Sequence, residues 1–470
     1  MSPLDPPVLP PRLDADAPAV EAPDALGPGR APLGAPERPG RASRLRRVAA
    51  RLASEHGMLG VLLLLVVFFS VATIDEQRPT GAAAADQVAD AIVADATPAT
   101  RVLVVGRGGA ADAAFARRLA ERLGEAGVAV AAVAVGEPRA VREALGESGA
   151  TVVGTSEGAA PVARRLAASA RIEVVAPRAS RWPTFLRADN LLNVANQIVV
   201  IAIVAIGMTL VILTGGIDLA VGSLVALSAV TVAGLLGAMG GTGASAGAMV
   251  AASLAAVGLC GAVGAVSGGL VTVFRMPPFI ATLGVMLVAS GLAYIVSGGQ
   301  SLYAVPDGFV WLGRGATLGV PHAVAMMAVL YGLAHVGTTR TTLGRYLYAV
   351  GGNEEAARLS GVRVKGVLLF VYVASGLAAG LGGVVLASQL KSGAPTYGSL
   401  YELYVIAAVV VGGTSLTGGQ GRVFGTLVGA FIIGVIQNGM NLTGIESYTQ
   451  KVVLGAVILG AVLLDSLRRR

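Results

Sequence analysis

The chain has 470 residues, of which 54% are hydrophobic and 13% charged, with 65 glycines and a formal net charge of +7. That balance excludes an ordinary soluble domain, in which about a quarter of residues are charged, and marks a polytopic membrane protein. The positive charge implies no nucleic-acid partner, because the arginines gather between apolar runs where they set membrane orientation, and the single Cys260 excludes a disulfide framework or a cysteine metal site.

Residues 1–45 are rich in Pro, Ala and Asp and lack apolar periodicity, so a disordered cytoplasmic tail is expected there. Arg38, Arg41, Arg44, Arg46, Arg47 and Arg51 then follow without an intervening acid and precede the apolar run Met58 to Ile74. A signal peptide has the same order of charge and apolarity, but this tail is long, the run reaches the length of a short span, and no A-x-A site directly follows. Residues 46–76 therefore read as a basic flank and an uncleaved first transmembrane helix, with the N-terminus in the cytoplasm.

Residues 77–182 differ from everything around them. Arg101 to Gly106, Val128 to Val135, Thr151 to Val153 and Ile172 to Val175 read as strands, alternating with helical stretches at Ala110 to Gly124, Pro138 to Leu145 and Ala160 to Ala168. Such alternation predicts a small parallel α/β domain, about long enough for one core, which the order of crossings places outside the membrane.

Further apolar runs at about 191–214, 219–240, 246–273, 277–297, 317–337, 366–388, 402–418, 422–441 and 449–467 approach the roughly 20 residues a helix needs to cross a bilayer. With the first span they make ten crossings and return the C-terminus to the cytoplasm. Arg275, Arg340, Arg345, Arg358, Arg363, Lys365, Arg422 and Arg468 to Arg470 then fall inside, and Lys391 falls outside. The expected fold class is an all-α polytopic membrane protein of about ten transmembrane helices, interrupted at Gly-rich joints and carrying one inserted α/β domain. The joints are Thr214 to Gly222 and Gly412 to Gly421; interruption at membrane depth is tolerated only where the freed backbone is buried in protein or lines a cavity. Their likeness suggests an internal repeat, although helix packing alone also enriches small residues.

Chemistry is scarce. A P-loop needs a Lys that follows a Gly, and none of Lys365, Lys391 and Lys451 does, so ATP hydrolysis by that route is excluded. Gly106, Gly108 and Gly109 follow a strand, but the third glycine of G-x-G-x-x-G would fall on Ala111, which favours a tight turn over a phosphate site. His56, His322 and His335 have no ligand spacing, and no nucleophile, base and orienting group recur together, so neither a metal, a cofactor nor catalysis is indicated.

The polar island 338–365 stands out between apolar runs. Asn353 is a candidate N-cap, Glu354 and Glu355 sit where a helix dipole favours acids, Ala356 and Ala357 allow close approach, and Gly361 is a stop. A short helix lying along the membrane fits, either as a handle for a partner or as a wet tie between two spans. The segment Glu355 to Gly361 resembles the E-A-A-x-x-x-G loop of ATP-binding-cassette (ABC) transporter permeases. Leu210 to Ser223, Pro278 to Gly284 and Ala349 to Val362 are similar, in order, to motifs of the ribose/xylose/galactose-type permeases, a likeness that covers about 183–470 and the first span.

The resemblance implies a permease domain over 183–470 that dimerises in a bacterial cytoplasmic membrane. In this family two cytoplasmic ATPase subunits bind the ATP and grip the permeases, and an extracytoplasmic binding protein delivers a sugar. It implies that Asn353, Glu354, Glu355, Ala356, Ala357 and Gly361 form the coupling helix. Asp218 matches the family's G-G-I-D-L, as a path residue or as the cap of the following span. Asn193, Asn196, Gln197, Gln437, Asn438 and Asn441, being polar within apolar runs, are candidates for the translocation path or for hydrogen bonds between helices. The 77–182 insert departs from the family, whose first span leads almost directly into the second. The leading expectation is a non-enzymatic importer subunit for a monosaccharide or similar small polar solute. Branched-chain amino acids or nucleosides are alternative cargoes, and a receptor that senses through the insert is a different class. An ion-coupled carrier would need paired intramembrane acids, and Asp218, Glu402 and Glu446 lie near predicted span ends.

Overall fold

The computed structural model describes residues 41–168 and 171–468. The expected tail therefore lies outside the described residues up to position 40, whereas 41–45 already belong to the first helix, α1 (Arg41–Ala72). The chain forms two units, Met1–Glu55 and His56–Arg470, and the second carries all the elements that follow.

After α1 come β1 (Ile74–Gln77), α2 (Gly81–Ala94), β2 (Arg101–Gly106), α3 (Ala110–Glu125), β3 (Ala129–Val135), α4 (Pro138–Glu147), β4 (Val152–Thr155), α5 (Ala160–Ala168), β5 (Glu173–Val175) and β6 (Ser180–Pro183). β2 to β5 form a four-stranded sheet in the order β3-β2-β4-β5, with every pairing parallel. Side chains alternate across a strand. Val102 and Val104 accordingly face Leu119 of α3 and Val88 of α2, whereas Leu103 and Val105 face Val141 of α4 and Ala163 of α5.

The first and last strands of this region pair with each other. β1 and β6 run antiparallel from Ile74 opposite Pro183 to Gln77 opposite Ser180, so the incoming and outgoing chain form a two-stranded seam. Below it the Thr184 N–H donates to the Thr73 carbonyl at 2.9 Å and the Phe185 N–H to Thr73 Oγ1 at 3.1 Å. Phe185 stacks on Phe69 of α1, their ring centroids 6.1 Å apart.

The helical body begins with α6 (Ala188–Leu213), α7 (Val221–Ala238), α8 (Ala246–Thr272) and α9 (Pro278–Ser297), followed by α10 (Val310–Arg314) and a hairpin of β7 (Ala316–Thr317) and β8 (Val320–Pro321). It continues with α11 (His322–Arg340), α12 (Thr342–Gly352), α13 (Glu354–Leu359), α14 (Val364–Leu390), α15 (Tyr401–Val411), α16 (Val423–Leu442) and α17 (Ser447–Arg468). Among the described residues six helices, α6, α7, α8, α9, α14 and α16, are long and apolar enough to cross a membrane; Gly57–Ala72 of α1 and α15 are shorter apolar helices. Leu254, Leu287, Ile295 and Leu459 are exposed on the outside of the bundle, a surface suited to lipid.

The core is organised around α14. Gly264 of α8 meets the Tyr372 carbonyl, Gly376 meets the Cys260 carbonyl, and Gly382 and Gly383 meet Val204 of α6 and Ser228 of α7, so backbones approach where side chains are absent. α14 runs antiparallel to α6, since Ser375 lies on Gly207 and Gly382 on Val200 and Val204. It runs parallel to α7, since Ser375 bonds Asp218 and Ser228 bonds the Gly380 carbonyl. The segment between α6 and α7 therefore reverses the chain.

Two expected spans lose five or more residues from one end of their apolar runs. The 317–337 run starts its helix only at His322, because residues 316–321 are the β7–β8 hairpin, whose turn holds Leu318 at φ 52 and Gly319 at φ 80. The 402–418 run stops at Val411, because Gly413 takes a φ of 86 and Gly412 abuts the Gly425 carbonyl of α16. At the other end of α14, Lys391 donates a hydrogen bond to Asp307, and this bond together with the lysine charge holds the Asp307 carboxyl below the usual carboxylate range.

Candidate functional site

Asn353 ends one helix and starts the next. Its backbone is extended, at φ −161, closing α12, and its Oδ1 accepts the Ala356 N–H at 2.9 Å, capping α13. Glu354 and Glu355 fill the first turn, where the dipole favours them. Arg358 donates to both Glu355 oxygens at 2.6 Å, an exposed pair that contributes at most about 1 kcal/mol. Gly361, at φ 85, ends α13 in a Schellman arrangement, its N–H donating to the Arg358 carbonyl at 3.0 Å and the Val362 N–H to the Ala357 carbonyl at 3.1 Å.

The two faces of α13 differ. Ala357, 5% exposed, packs into an apolar cluster with Leu210 and Val211 of α6, Leu347 and Val350 of α12, and Val364, Val367 and Val371 of α14. Glu354, Glu355, Ala356 and Leu359 are exposed, Leu359 to 80%. The helix is thus seated on three others and presents an acidic face with one large apolar side chain. Leu359 escaped the sequence reading because a lone leucine at the end of a polar island carries no period of its own.

Both glycine joints meet this seat. α6 stops at Leu213, whose carbonyl accepts the Gly419 N–H at 2.9 Å, tying the first joint to the second. Gly419, at φ 72, lies against Gly352, and Gly418 lies against Gly215 and the Gly351 carbonyl. Tyr348 of α12 donates its hydroxyl to the Gly421 carbonyl at 2.8 Å; burial holds that phenol above the usual tyrosine range, with Arg422 pulling the other way, so it stays a donor.

Asp218 lies deep in the first joint, 1% exposed. Its Oδ1 accepts the Ala220 N–H at 3.0 Å, a turn that precedes α7 and leaves Ala220 as the helix cap, and its Oδ2 accepts the Ser375 hydroxyl at 2.7 Å. Ser375 is 11 residues beyond Val364, so the carboxylate sits about 16 Å along α14 from its start. A buried acceptor that meets two donors is a specific anchor, and it pins the joint to α14.

The polar candidates in the spans divide. Asn190 and Asn438 exchange two amide hydrogen bonds of 3.0 Å between α6 and α16. Asn196 accepts from Gln389 at 3.3 Å on its side chain and 3.1 Å on its carbonyl, and Asn441 accepts from Gln450 at 2.7 Å. Asn193, Gln197 and Gln437 make no side-chain hydrogen bond among the described residues, and Asn193 and Gln197 are exposed. Asn190, Asn193 and Gln197 follow i, i+3, i+7 and so share one face of α6. That spacing was available to find Asn190; nothing local could have paired Gln389 with Asn196.

Residues 190–462 match the family model described as branched-chain amino acid transport system / permease component, a match that begins after the insert. The ribose import permease protein RbsC of Bacillus subtilis is 45% identical over 285 residues, covering 60% of this chain and 86% of that protein. RbsC of Escherichia coli K12 is 44% identical, covering 61% and 88%, and the D-allose transport system permease protein AlsC of the same strain is 38% identical, covering 60% and 85%. No solved structure matches the chain. A multi-pass apolar bundle, a capped helix seated on three others beside the two glycine joints and a family match over most of the bundle lead to one conclusion: the chain belongs to the branched-chain amino acid transport system permease family.

Proposed function

We propose that this protein is the transmembrane subunit of an ATP-binding-cassette importer for a monosaccharide or similar small polar solute in a bacterial cytoplasmic membrane. The observation that carries the reading is α13, a doubly capped six-residue helix with an exposed acidic face and a buried seat on α6, α12 and α14. A separate ATPase engages Glu354, Glu355 and the neighbouring exposed residues, and nucleotide-driven movement of α13 drives alternating access. The relatives named for ribose and D-allose support a sugar as cargo.

In this reading α1, α6 to α9, α11 and α14 to α17 make ten crossings, and both termini and α13 are cytoplasmic. The chain works as a homodimer, and an extracytoplasmic binding protein delivers the solute. Asn193, Gln197 and Gln437 face the solute, and Asp218 holds the first joint. The unit 77–182 lies outside, where it modifies docking of the binding protein. Glu355→Arg removes the Arg358 pair and places a cation where the dipole disfavours it, together costing the fold about 1–2 kcal/mol. That variant is expected to remain in the membrane and lose uptake; full uptake would remove the coupling assignment. Reconstitution with the ATPase identifies the cargo as the solute that stimulates hydrolysis.

A further inference from the structure

α13 reaches the bundle by two routes. One is the apolar seat around Ala357, which is soft because side chains can repack. The other is a contact in which only backbone is involved. Gly351, two residues before Asn353, lies so close to the end of α6 that a methyl group on it would overlap the Leu213 carbonyl and come 2.5 Å from the Gly419 nitrogen. A methyl on Gly418 would come 2.9 Å from both the Gly215 nitrogen and the Gly351 carbonyl oxygen, and one on Gly419 would come 2.9 Å from the Gly352 Cα. The Gly419-to-Leu213 hydrogen bond and the Tyr348-to-Gly421 hydrogen bond close the ring.

Three segments far apart in the chain, residues 213–215, 351–352 and 418–419, therefore meet main chain to main chain. Packed backbone is stiff, since it has no rotamers through which to yield, and close-packed contacts pass displacement on instead of absorbing it. α12 is continuous with α13 through the single residue Asn353. A push on α13 reaches Gly351 through the extended Asn353 and then Gly352, and from there bears on both glycine joints at once.

We infer that Gly351, supported by Tyr348, is the positioning residue that transmits movement of α13 to the two glycine joints through this backbone junction. The inference rests on α13 being the coupling helix, and its test separates the two. The junction explains why the reversal after α6 and the reversal after α15 are both built from glycines, a requirement that span packing elsewhere does not impose on them. It also gives each joint the same driver, so that α6, α7, α15 and α16 respond in one step.

The experiment measures solute uptake and ATP hydrolysis together, in proteoliposomes holding the permease, its ATPase and its binding protein. Gly351→Ala is expected to lower uptake at least tenfold while hydrolysis changes less than twofold, raising the ATP spent per solute moved. Gly332→Ala in α11 is the control, a helical glycine outside the junction, because a methyl there meets nothing within 4 Å and should leave both rates as in the unsubstituted protein. Tyr348→Phe removes one hydroxyl without adding volume and carries the test if Gly351→Ala does not assemble; about a threefold rise in ATP per solute is expected. An unchanged ratio in Tyr348→Phe, or a parallel fall of uptake and hydrolysis in Gly351→Ala, overturns the inference. If the unsubstituted chain shows no solute-stimulated hydrolysis, the coupling reading itself fails, an outcome distinct from these.

Discussion

Replacing Asn353 by alanine removes the Oδ1 that accepts the Ala356 N–H and leaves α13 without its N-terminal cap. Loss of such a cap costs about 1 kcal/mol, within a range of roughly 0.5–2. In a long helix that would fray one turn, but α13 spans six residues and a helix so short has little stability of its own. About 1 kcal/mol therefore acts on the whole helix and lowers the ratio of formed to unformed helix about fivefold. Titrating the ATPase against reconstituted permease gives the concentration for half-maximal uptake, which is expected to rise in Asn353→Ala by up to about fivefold. Asn353→Asp keeps an acceptor and adds a charge that the helix N-terminus favours, so it should return that concentration close to its starting value. Equal impairment of Ala and Asp variants, or none in either, would refute capping as the role of this residue.

Ser375→Ala deprives the buried Asp218 side chain of one of its two donors and should cost about 1–3 kcal/mol, read as a lower unfolding temperature at fixed scan rate; an unshifted transition would mean the first joint is not pinned there. A double-mutant cycle on Asn190→Leu and Asn438→Leu should return about 1 kcal/mol of coupling for two hydrogen bonds inside the bundle, and additive effects would remove the pairing. Excising residues 80–180 joins strands that already lie opposite each other and should leave the bundle folded while raising the concentration of binding protein needed for half-maximal uptake; identical kinetics would rule out a docking role.

Span positions were legible where apolar runs ended in true breakers. α8 occupies 246–272 against an expected 246–273, and α9 occupies 278–297 against 277–297, because Pro277 and Pro278 open α9 and Gly298 closes it. Runs that end inside an apolar stretch misled, as at Gly412, where the chain leaves the helix without any change in hydropathy. The strand Arg101–Gly106 was readable from its own residues, whereas α2, a helix half of alanine, and the seam of β1 with β6 were not, since the seam pairs residues 109 apart at its widest. In the candidate site the caps at Asn353 and Gly361 are local chemistry and were legible. The junction at Gly351 was not, because a glycine that faces another backbone looks in sequence like any glycine beside a turn.

Pairing of Gln77 with Ser180 brings the two attachment points of the α/β unit side by side. A module whose ends are neighbours can be lost, gained or exchanged without redirecting the helices that flank it, so natural variation at this seam is free of the constraints that hold the bundle. The same geometry offers a practical port: a fluorescent reporter or an affinity handle with closely spaced ends can be seated between positions 77 and 180 while α1 and α6 keep their course.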